Sequence, residues 1–169
     1  MSASYLQGYP ADTVAQVNAM MQAGKLGPWL QKKYPQAHSM RDDRSLFAYV
    51  QELKQDYLRG AQMVSKVQYD NKLQLTQNAL GTHTTIARVQ GSQLKAKREI
   101  RIASLFKNTP LEFLRMIAVH ELAHLKERDH DKNFYKLCCY MEPDYHQLEF
   151  EVRVYLGYLD SANAVPLWS

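Results

Sequence analysis

One stretch limits what this chain can fold into more than any other. From 111 to 125 the residues are apolar but for Glu112, Arg115, His120, Glu121 and His124. A helix that is apolar on nearly every side must be buried on most of its surface, so the rest of the chain has to wrap it. Its start is marked: Thr109 is expected as the cap, Pro110 suits the first helical position, and Glu112, three residues after Thr109, completes a capping box. The polar residues inside it need a reason, because burying them without partners costs several kcal/mol.

Those exceptions read H-E-x-x-H. His120 and His124 lie one helical turn apart and project from one face, so both imidazoles can reach one metal ion. Glu121 sits about 100° around from His120, where it can act on water at the ion without being a ligand. Shuffling six His and eight Glu through this chain produces the pattern about once in a hundred times, so the motif alone is moderately specific. The buried, capped helix around it sharpens the signal, and so does His130, six residues beyond His124. On an unbroken helix His130 would lie about 240° from His124 and face away. It can ligate only if the helix ends near 126–128 and the chain turns back, which the polar run Lys126-Glu127-Arg128-Asp129 allows. The alternatives for the third ligand are downstream carboxylates: Glu149, Glu151 or Glu142. Three neutral imidazoles would leave a fourth position for water, as in catalytic rather than structural zinc sites. Imidazoles accept other divalent transition metals as well.

The remaining pattern places this helix in an α+β chain. Helices are expected over 11–23, ending near Gly24; over 27–34, stopping at Pro35; and over 44–59, capped by Asp43 and stopped by Gly60. The period then changes. Residues 63–69 and 72–75 alternate around Asp70-Asn71, a turn suited to a hairpin, and 82–89 and 99–104 form a second pair joined through Gln90-Gly91-Ser92. Ile100 and Ile102 share one strand face, Glu99 and Arg101 the other. Helices over 131–141 and 145–159 follow, and the tail from 161 to 169 is expected to be loose. The expected organisation is one domain over 1–169: a helical part to about 60, a small antiparallel or mixed sheet over about 63–104 packed on the motif helix, and catalytic helices over about 109–160.

Composition narrows the setting. The 169 residues are 46% hydrophobic, enough for one real core. No apolar run approaches the ~20 residues that span a bilayer, and 1–7 lacks the basic start and apolar stretch of a signal peptide. A cytoplasmic protein with no membrane partner is expected. The only cysteines, Cys138 and Cys139, are neighbours and read as small buried residues in a reducing compartment. The net charge of +4 permits an anionic partner, nucleic acid included, without requiring one. Much of the excess lies in Lys95, Lys97, Arg98 and Arg101. The oligomeric state leaves no trace in the sequence.

The stretch from Phe113 to Glu127, with His130, Phe134-Tyr135 and Met141-Glu142-Pro143-Asp144-Tyr145-His146, resembles the YgjP-like metallopeptidase-type family, and by motif the more distant SprT and WLM zinc proteases. The resemblance extends through Tyr5-Leu6-Gln7-Gly8-Tyr9-Pro10, Tyr69-Asp70-Asn71-Lys72, Asn78-Ala79-Leu80-Gly81 and Arg88-Val89-Gln90-Gly91. It implies a zincin-like fold, with a small sheet beside the H-E-x-x-H helix and three histidine ligands on Zn2+. The wider family often carries Trp-Gly-Ser-Cys before the last strand. Here the comparable place reads Val89-Gln90-Gly91-Ser92, so no role of that motif carries over.

The expected function is zinc-dependent hydrolysis. His120, His124 and His130 hold the ion, and Glu121 takes the proton of the attacking water and passes it to the leaving group. Zincins usually add a second acid or electrophile. His146 is the first candidate here, followed by Tyr145, Tyr135 and Arg88, with Arg88 and Tyr135 also expected to touch substrate. A peptidase is the leading expectation, with an edge strand at 82–89 or 99–104 pairing with an extended peptide. The family resemblance also implies nucleotide pyrophosphatase chemistry on uridine triphosphate, for which Lys95, Lys97, Arg98, Arg101 and Arg88 could supply cations. A zinc-stabilised binding module without turnover is the third possibility; a buried general base argues against it.

Overall fold

Ten of the thirteen residues of the motif helix are buried, and the fold is arranged around it. The computed structural model describes residues 3–73, 81–90, 93–161 and 164–169; over 3–4, 81–90 and 93–97 it describes the backbone alone. The helices are α1 (Ala11–Gln22), α2 (Leu26–Lys33), α3 (Asp43–Tyr57), α4 (Leu111–Ala123), α5 (Lys132–Met141) and α6 (Tyr145–Asp160). The strands are β1 (Val64–Asp70), β2 (Gly81–Gln90) and β3 (Gln93–Ala103). α3, α5 and α6 pack on α4 from the helical side, and β2 and β3 lie against it from the other. Among the described residues no helix is long and apolar enough to cross a membrane.

The sheet is mixed, in the order β1-β3-β2. β2 pairs antiparallel with β3 across the expected second hairpin, but β3 begins at Gln93 rather than near 99. The described partner of β1 is not the expected return strand. β1 runs parallel to β3, with Val67 opposite Ile100 and Tyr69 opposite Ile102. Alternation selects the buried face of a strand but neither its partner nor its direction. The Asp70-Asn71 turn does form, with Asp70 Oδ1 accepting from the Lys72 N–H (2.8 Å), and it ends β1. Residues 74–75 of the expected return strand lie outside the described residues.

Two caps also differ. α3 is capped by Asp42, whose Oδ1 accepts from the Ser45 N–H (2.7 Å). Asp43 instead accepts from the Tyr69 N–H (2.9 Å) and ties α3 to β1. Thr109 does not cap α4: its hydroxyl donates back to the Phe106 carbonyl (3.1 Å), and Pro110 takes the cap position. The tail is not loose. Trp168 is 5% exposed, donates its indole N–H to the Tyr34 carbonyl (2.6 Å) and sets its edge against Phe113 and Tyr155. An indole that buries its ring and satisfies its one donor outweighs the entropy of a short tail.

His38 fastens the segment between α2 and α3 to the start of α4. Its Nδ1 accepts from the Met40 N–H (3.0 Å), so the proton sits on Nε2, which donates to the Phe106 carbonyl (2.6 Å). Burial holds its pKa below the ordinary value, so the folded ring is neutral. An unfolded histidine takes up its proton near about 6.5. The stabilisation is therefore complete above that pH and is lost as pH falls below it. The metal-free protein should lose less Tm between pH 7 and pH 5 as His38→Gln than in its parent form. Equal losses would remove His38 from the account.

Candidate metal centre

The chain leaves the α4 axis earlier than expected. The N–H groups of Lys126 and Glu127 both donate to the Ala123 carbonyl (3.1 and 2.9 Å), and Leu125 N–H donates to Leu122 (3.0 Å), so the last turn tightens and closes. His124 sits at the cap position, and the following loop brings His130 back. One nitrogen from each of His120, His124 and His130 lies within 4.8 Å of the others, and His124 Nε2 is 3.0 Å from His130 Nε2. His120 is buried, His124 half-buried and His130 exposed, so the cluster opens to solvent on the His130 side.

The hydrogen bonds around these rings test whether they suit a metal. Tyr145 donates its hydroxyl proton to Glu149 Oε2 (3.0 Å), so its oxygen accepts from His120 Nδ1 (2.8 Å). His124 Nδ1 donates to the Glu127 carbonyl (2.9 Å). Both tautomers thereby place the Nε2 lone pair toward the cluster. Burial foremost, with His124, His130 and Arg153 adding, holds His120 well below its ordinary pKa; burial likewise lowers His124. Neutral imidazole is the ligating form, and the donor set fits a divalent transition metal.

The rival carboxylates are engaged elsewhere. Glu149 serves Tyr145. Glu151, fully buried, takes hydrogen bonds from Tyr34, Lys33 and Gln147. Glu142 pairs with Arg115 (3.1 Å). Cys138 is a buried free thiol whose pKa burial pushes up to about 12, which suits packing rather than ligation.

Glu121 is 1% exposed, and burial pushes its carboxyl up to about 8. In the metal-free chain such a carboxyl holds its proton near neutral pH; positive charge at the three-histidine centre would favour the ionised form, which is the form that accepts a proton. Tyr145 is fully buried between His120 and Glu149, and burial, reinforced by Glu149, holds its hydroxyl well above the ordinary value. That makes it a fixed acceptor for the His120 Nδ1 proton, which orients the ring. His146 is exposed, with its ring 5.4 Å from that of half-buried Tyr135 and 5.7 Å from Tyr145, outside the three-histidine cluster. Arg98 acts on His124 electrostatically and donates to Gln62 (2.9 Å), while Arg101 is paired with Asp70 (3.3 Å). Arg88 lies on β2 opposite Lys95; the side chains of Arg88, Lys95 and Lys97 fall outside the described residues. Arg153, which acts on His120 electrostatically, was not singled out by the sequence. The spacing Tyr145-Glu149-Arg153 on α6 was its only signal, one face at successive turns.

An H-E-x-x-H helix closed by a returning histidine beside a small mixed sheet is the arrangement of the metallopeptidase-like class. The family model described as YgjP-like, metallopeptidase domain, matches residues 49–153, and the chain belongs to that family. It is 54% identical over 156 residues to UTP pyrophosphatase of Escherichia coli (strain K12), covering 92% of this chain and 93% of that relative. No solved structure gives a significant match.

Proposed function

We propose that this chain is a zinc-dependent hydrolase that cleaves a nucleoside triphosphate to the monophosphate and pyrophosphate, with uridine triphosphate the first substrate to try. The observation that carries the substrate choice is the 54% identity, over nearly the whole of both chains, to a protein named UTP pyrophosphatase. The three-histidine cluster supports the metal part of the reading. His120, His124 and His130 would hold the ion through their inward-facing nitrogens. When bound, the ion supplies Lewis acidity, polarising the phosphoryl group and making water nucleophilic near neutral pH.

The chain's own residues do the rest. Glu121 takes a proton from the attacking water and returns it to the departing pyrophosphate oxygen. Tyr145 and Glu149 hold the His120 ring in its ligating tautomer. Arg98 on the β3 side and Arg153 on α6 bring positive charge to the flanks of the centre, which suits a polyphosphate. His146 is proposed as a second acid or electrophile, with Tyr135 and Arg88 contacting substrate. The free cysteines suit the reducing cytoplasm.

A second reading, peptide hydrolysis, is favoured by one observation. β2 is an edge strand lying against α4, and an extended peptide could add to it. A side-by-side assay of the zinc-loaded protein with uridine triphosphate, the other nucleoside triphosphates, casein and short peptides separates the two. Pyrophosphate release without proteolysis is expected; proteolysis without pyrophosphate release would transfer the assignment to the peptidase.

A further inference from the structure

We infer that Phe134 is the back wall of the metal centre and decides on which side of the three imidazoles an ion and its open position lie. This rests on the reading of His120, His124 and His130 as metal ligands. Phe134 stands in the first turn of α5 and is fully buried. Its ring centroid is 5.0 Å from that of His120, 4.6 Å from His124 and 4.9 Å from His130. The imidazole centroids are themselves 5.0, 5.1 and 4.8 Å apart. Six nearly equal distances place the four rings at the corners of an almost regular tetrahedron, with Phe134 over one face of the imidazole triangle. With metal–nitrogen bonds of about 2 Å, an ion held by all three rings lies near the plane of that triangle. The phenyl ring already fills the space on one side. Phe134 would therefore confine an ion held by His120, His124 and His130, and the position left for water or substrate, to the other side.

The wall is tied to the ligand loop. Asp131, adjacent to His130, caps α5 by accepting from the Phe134 N–H (3.0 Å). The cap therefore links the residue next to His130 directly to the wall. If Phe134 were only core packing, another apolar residue of similar volume would replace it without effect on the metal.

The test uses the full chain as Phe134→Leu and Asp131→Ala, with Co2+ as the probe, its affinity measured by competition and its coordination by visible absorption. The Tm of the metal-free protein reports folding. Phe134→Leu should weaken Co2+ binding by about 10–100-fold, the range seen when an outer partner of a metal site is removed. Its intense visible bands should also weaken as cobalt acquires additional ligands from the opened side. Asp131→Ala, which leaves the core untouched, should weaken binding several-fold and keeps the test open if the leucine variant fails to fold. Parental affinity and spectrum in the folded variants would overturn the inference. A parent protein that binds no Co2+ would overturn the metal reading itself, and this inference with it.

Discussion

Glu121→Gln keeps the bound metal and loses hydrolysis. The amide fills the same buried space, 1% exposed, but cannot take a proton. General acid–base catalysis contributes about 10²–10⁴-fold, and turnover should fall by at least that range while metal content by elemental analysis stays at one per chain. Because the neutral amide relieves the burial that pushes the carboxyl up to about 8, the variant should be no less stable than the parent. A fall in activity therefore cannot be attributed to unfolding if the Tm holds. Undiminished turnover in a metal-loaded variant would remove Glu121 from the mechanism and leave the ion and its flanking charges to act alone.

His130→Ala empties the site. The two helical histidines would remain in their ligating tautomers, but two imidazoles hold a divalent ion far less tightly than three. The loss of affinity should exceed the about 10–100-fold typical of removing an outer partner. Since His130 is exposed and no residue from 126 to 133 is buried, the metal-free fold should be little changed. Full metal occupancy in the variant would show that a carboxylate takes the third place. Glu149 would have to exchange its Tyr145 hydrogen bond to do so.

The parts of the fold that were legible in the sequence were those set by local chemistry. α4 is apolar all round and is the most buried helix; α5 and α6 follow within a residue of their expected starts. His130 was legible as a conditional: it needed a break after His124, and the break comes at once, where the chain tightens onto the Ala123 carbonyl. What was not legible depends on partners distant in sequence. Nothing in 63–75 says that β1 will run beside β3. Asp42 and Asp43 are equivalent as letters, and only the Tyr69 N–H decides which one caps and which one ties. Trp168 looked like a tail residue because the cleft that receives it is built from Tyr34, Phe113 and Tyr155 on three separate helices or their ends. At the site, Tyr145 was legible as a candidate acid but not as the acceptor that orients His120. That role requires His120 on one side and Glu149 on the other.

The strand order has a consequence for the way the molecule is assembled. β1 pairs with β3, not with the strand that follows it, so the pairing joins segments separated by the whole of β2. Closing that non-local pair is an entropically slow step. The ligand-bearing helix comes next in the chain and leans on the completed sheet. An ion bound after that pairing would be a late occupant of a finished architecture rather than the nucleus around which it condenses, the reverse of the order by which a zinc finger folds.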